Sequence, residues 1–60
     1  MAAQPGTPAH DKAKLLLASY RERGKAAAQA DLDAMIAKGM TTFEYVAVTD
    51  TFRALLKQGG

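Results

Sequence analysis

Apolar positions recur along this chain with helical spacing. Ala13, Leu17, Tyr20, Gly24 and Ala27 stand four, three, four and three residues apart, one stripe of a helix. Ala28, Leu32, Met35 and Gly39 continue the stripe after a small slip in phase, resembling a stutter. The block Leu15-Leu16-Leu17 is wider than one stripe, so one of these leucines is expected to face a second surface. Later, Tyr45, Val48, Phe52 and Leu55 follow at three, four and three, the seam of a packed helix that Val46 and Leu56 widen. β-Branched and aromatic residues between Phe43 and Thr49 favour a competing strand. The helical spacing through Leu55, and the lack of a second strand to pair with, decide for helix.

Local chemistry places the boundaries. Thr7-Pro8 reads as an N-cap followed by proline at the first helical position, where its missing N–H is not needed. Asp11 in that first turn complements the helix dipole. Lys38-Gly39-Met40-Thr41-Thr42-Phe43-Glu44 reads as one helix ending and another beginning at once. Gly39 suits a positive φ just past a helix end, and Lys38 suits the last carbonyls. Thr41 with Glu44 fits a capping box, each side chain answering a backbone N–H of the other's turn. The main ambiguity is Gly24, which costs about 1 kcal/mol relative to alanine inside a helix. No Ser, Thr, Asp or Asn precedes Lys25 to cap a new helix, and Lys25 to Ala30 are strong helix formers. The expectation is therefore one continuous long helix, roughly 8–38, with a kink or a break at Gly24 as the alternative, and a shorter one, roughly 42–58. Met1 to Gly6 are expected to be a flexible tail before a single helical domain of residues 7–60. Gly59-Gly60 is expected to be a frayed helix end. A double-glycine processing site would want an apolar residue where Lys57 stands.

Sixty residues make one small domain. A chain of this size buries only about 60% of its unfolded surface and usually needs a staple. It has no cysteine and a single histidine, His10, so neither a disulfide nor a zinc site of about four Cys/His ligands is available. Hydrophobic residues are 48% of the chain, too many for disorder, but much of that share is alanine. The short supply of large apolar side chains predicts a homodimer, two hairpins pairing into a four-helix bundle. No apolar run approaches the roughly 20 residues of a membrane span, and no secretory signal is visible, so the expected location is cytoplasmic.

Candidate chemistry is sparse. A catalyst needs a positioned base, a partner and a water-excluding pocket. His10 beside the tail reads as a solvated histidine. Asp31 and Asp33 stand two apart, point to different helix faces and also read as solvated. Ala26-Ala27-Ala28 with Gly24 allows a close helix approach. The formal net charge is only +2. Lys12, Lys14, Arg21, Arg23 and Lys25 concentrate base in the first half, but Asp11 and Glu22 interrupt them. A recognition helix in a DNA groove would need polar and basic residues in its first turns. The helix from Thr42 instead opens with Phe43, Tyr45, Val46 and Val48, and its bases Arg53 and Lys57 come late.

The all-α hairpin is therefore expected to be a non-enzymatic protein-binding module, a regulator, inhibitor or adaptor, with no cofactor or metal. Its expected contact residues are Met40, Phe43, Tyr20, Arg21 and Arg23, with adaptable methionine beside an aromatic suiting an interface. The alternative is a small nucleic-acid-associated regulator using the Lys12–Lys25 bases.

Overall fold

Thr7 opens the first helix as expected. Its Oγ1 accepts from the His10 N–H at 3.3 Å, and Pro8 stands at the first helical position. The computed structural model describes residues 3–59; Met1, Ala2 and Gly60 lie outside them. It is built of α1 (Pro8–Arg23), α2 (Lys25–Ala37) and α3 (Thr42–Gly59), with no strand among the described residues. The all-α expectation therefore holds.

The long first helix does not. Gly24 takes φ +97° and ψ −178°, well outside helical space, and divides it into α1 and α2. Only glycine adopts such a φ without strain. The helical ladder survives on either side: the Gly24 N–H still donates to the Tyr20 carbonyl at 2.9 Å, and the Ala28 N–H to the Gly24 carbonyl at 3.3 Å. No side chain caps the start of α2. Packing overrides the missing cap. An uninterrupted helix from Pro8 to Lys38 would run about 46 Å at about 1.5 Å per residue, whereas the folded chain is 27 Å in its longest dimension. The break lets α2 turn back along α1, where the Ser19 hydroxyl donates to the Asp31 carboxylate.

The second boundary is where the sequence puts it. Gly39 has φ +114°, and its N–H donates to the Ile36 carbonyl at 3.0 Å. Thr41 Oγ1 accepts from the Glu44 N–H at 3.1 Å, so the cap of α3 is made. The other arm of the expected capping box is diverted. Glu44 turns its carboxylate to Lys12 on α1, with Nζ to Oε1 at 2.6 Å.

The centre of the fold is Ala13, Leu16 and Val48, ringed by Leu32, Met35, Met40, Phe52 and Leu55. α1 packs against both other helices, whereas α2 and α3 scarcely touch beyond the turn that joins them. The stripe on α1 is thus shifted by one residue from the expected Leu17. Leu16 is 3% exposed, Leu17 is half-buried, and Leu15 at 61% is the leucine left facing outward. On α3 the seam keeps Val48, Phe52 and Leu55 but loses Tyr45, which is 40% exposed. Of the small-residue run, Ala28 is buried within the chain and Ala26 is exposed, and no atom lies within 4 Å of a Cβ placed on Gly24.

Two polar residues do more than the expected surface role. Asp31 is half-buried through its bond to Ser19, and His10 is half-buried as well. Thr51, unremarked in the sequence, is buried: its hydroxyl donates to the Ala47 carbonyl at 2.7 Å and accepts the Ala3 N–H at 2.6 Å. The expected tail is therefore tied to α3 at Ala3, while its first two residues lie outside the described ones.

Candidate functional site

The direction of the helices creates the site. Lys12 meets Glu44 and Tyr20 meets Phe52 at the same separation of 32 residues, so α1 and α3 run parallel. Antiparallel α2 lies on the other flank of α1. Because α2 and α3 diverge from their short turn, a groove opens between them with α1 as its floor.

That groove has a volume of about 270 Å³. Leu16 and Tyr20 form the floor, Lys25, Ala28, Gln29 and Leu32 one wall, and Thr49 and Phe52 the other. Tyr20 and Phe52 meet edge to face, ring centroids 5.8 Å apart and planes at 71°. This geometry suits the positive edge of one ring and the negative face of the other. Each wall follows one helical register: Lys25, Gln29, Leu32 and Ile36 on α2, and Tyr45, Thr49, Phe52 and Leu56 on α3, all spaced four, three and four. The apolar surface of Ile36 and Tyr45, each about two-fifths exposed, therefore extends the groove toward the turn.

The polar groups on the walls are held by their own helices. Gln29 donates to Asp33 at 3.2 Å. The Thr49 hydroxyl reaches the Tyr45 and Val46 carbonyls at 3.0 and 3.1 Å. Among the described residues, no three His, Cys, Asp or Glu side chains converge as metal ligands. The groove offers shape, apolar surface and charge.

The charge comes from one end of the molecule. Parallel packing brings the C-termini of α1 and α3 together, and Gly24 alone separates α1 from the start of α2. Arg21, Arg23, Lys25, Arg53 and Lys57 thus gather at one pole, all exposed, against the two acids Glu22 and Asp50. Arg21 places its guanidinium over Gly59, where a Cβ would collide with it. There a cation also favours the last carbonyls of α3. Arg53, its side chain 76% exposed, leans toward Asp50 at 3.7 Å.

The five expected contact residues divide between two places. Tyr20 edges the groove, and Arg21 and Arg23 stand at its basic pole. Met40 is half-buried against the core at the opposite end. Phe43 is 86% exposed and borders a separate depression with Pro8, Ala9 and Ala47, so Met40 and Phe43 do not form one patch with Tyr20. Leu32, Arg53 and Lys57 carry no site signal in the sequence, and the spacing of Phe52 reads as core. Their convergence with Tyr20 needs the parallel register of α1 and α3, which no local signal encodes. Lys12 leaves the basic set through its bond to Glu44.

Among the described residues, no helix is long and apolar enough to cross a membrane. Comparison with protein-family models, with curated proteins and with solved structures gives no match for the chain.

Proposed function

We propose that this chain is a small non-enzymatic protein-binding module, a regulator, inhibitor or adaptor that acts through the apolar groove between α2 and α3. One observation carries this reading: the two walls of the groove stay apart although each presents apolar side chains at helical spacing. Leu32 and Phe52 are only partly buried, and Tyr20, Ile36 and Tyr45 remain exposed beside them. A partner helix laid between α2 and α3 removes this surface from water, at about 25 cal/mol per Å² of apolar area. Helix-in-groove binding of this kind reads its ligand through residues at i, i+3, i+4 and i+7.

The test is site-specific photocrosslinking in the source cells, with a photoreactive residue placed at Thr49 or at exposed Ala30 on the far side of α2. A protein adduct from position 49 and none from position 30 is expected. Equal labelling from both positions, or none from either, sets the reading aside.

Phe43 supports self-association as a second reading, since a phenylalanine 86% exposed beside Pro8, Ala9 and Ala47 is a ready contact between copies. A homodimer at micromolar concentration in sedimentation equilibrium, lost in Phe43→Ala, is the expected result. A compact monomer at all concentrations removes this second reading and leaves the groove reading standing. The nucleic-acid alternative is weakened by the Lys12–Glu44 pair, which takes Lys12 out of the basic run. No binding of DNA or RNA tighter than roughly 10 μM at physiological salt is expected, weaker than specific sites typically reach.

A further inference from the structure

The groove and the basic pole are continuous. Lys25 belongs to both: it lines the α2 wall opposite Phe52, and it stands one residue past the junction with Arg21 and Arg23. On α3, Arg53 and Lys57 flank the wall residue Leu56 on the outer side of the helix and stand at the same pole. The charge is segregated along the molecule. Five of the eight bases lie at this pole with two acids, Glu22 and Asp50, and the other four acids stand elsewhere with the remaining three bases. Capping the C-terminal carbonyls of α1 and α3 accounts for part of this excess. It does not account for Lys25, which sits at a helix N-terminus, where a cation is unfavourable.

Resting on the reading above, we propose that the occupant of the groove is an amphipathic helix of a partner protein, apolar along one stripe and acidic at the end that meets Arg23, Lys25, Arg53 and Lys57. The stripe lies on Leu32 and Phe52. The wall of α2 has 13 residues, about 20 Å at about 1.5 Å per residue, so three to four turns of helix match its length. Opposite charge at the rim steers the encounter and sets the direction in which the helix lies. A second copy of this chain fits less well, because its own net charge of +2 meets a pole of the same sign.

The experiment uses the full chain and a displayed library of 16-residue helices. The library fixes leucine at stripe positions i, i+3, i+4, i+7 and i+11 and varies the remaining positions among Glu, Lys, Gln and Ser. Selected helices are expected to carry Glu clustered at one end. They should bind at least tenfold more weakly to Lys25→Glu/Arg53→Glu, whose changed residues are exposed and leave the fold intact by circular dichroism. They should also shift the backbone amide resonances of Gln29, Leu32, Thr49 and Phe52. Selected helices with no acidic bias, or binding that the double variant leaves unchanged, overturn the proposed charge of the partner while the groove reading stands. No enrichment over a blank surface, or shifts confined to Phe43 and Ala47, overturns both. Tighter binding of a 12-nucleotide single strand than of any selected helix, with steep loss in salt, assigns the pole to nucleic acid and overturns the proposal.

Discussion

Lys12 Nζ stands 2.6 Å from Glu44 Oε1, and this contact between α1 and α3 takes the carboxylate that local sequence assigns to a helix cap. It holds the first turns of two parallel helices together, as Tyr20 and Phe52 hold their later turns. The groove and the basic pole both follow from that register.

The pair itself should contribute modestly, because both side chains are about one-third exposed. A double-mutant cycle of Lys12→Ala and Glu44→Ala in urea should give a coupling of about 0.5 kcal/mol at low salt, shrinking as salt is added. Reversing the pair, Lys12→Glu with Glu44→Lys, should restore most of what either single reversal loses. Zero coupling at low salt would contradict the parallel register.

Gly24 provides a test of opposite sign. Inside a continuous helix, Gly24→Ala should stabilise the chain by about 1 kcal/mol. At φ +97° the same change should instead destabilise it by about 1 kcal/mol or more. The urea midpoint is expected to fall. A rise would restore the single long helix.

The triple leucine separates burial from hydrophobicity. Leu16→Ala removes a side chain 3% exposed and should cost about 2–5 kcal/mol, enough to unfold much of so small a domain. Leu15→Ala, at a position 61% exposed, should stay within about 0.5 kcal/mol. Thermal melts followed by circular dichroism distinguish the two.

The turn into α3 should behave as its local chemistry dictates. Thr41→Ala removes the oxygen that accepts the Glu44 N–H and should cost about 1 kcal/mol. Gly39→Val forces a β-branched residue to φ +114° and should cost at least about 1 kcal/mol. Unchanged melts for both variants would move the helix boundary away from this segment.

The sequence by itself determined everything that depends on neighbours along the chain. Thr7-Pro8, Gly39 and Thr41 mark helix ends because caps and positive-φ positions are satisfied within a few residues, and the spacing of Val48, Phe52 and Leu55 marks one packed face. Only the tertiary structure decided the rest. Gly24 carries no cap for a following helix, yet the chain breaks there, because the energy that favours the break comes from packing α2 back against Ala13 and Leu16. Tyr45 shares the seam's period but falls outside the core, because period defines a stripe and not its edges. Arg53 and Lys57 join Arg21, Arg23 and Lys25 only because α1 and α3 run parallel. That register rests on contacts 32 residues apart, such as Lys12 with Glu44, and no local propensity reaches so far along the chain.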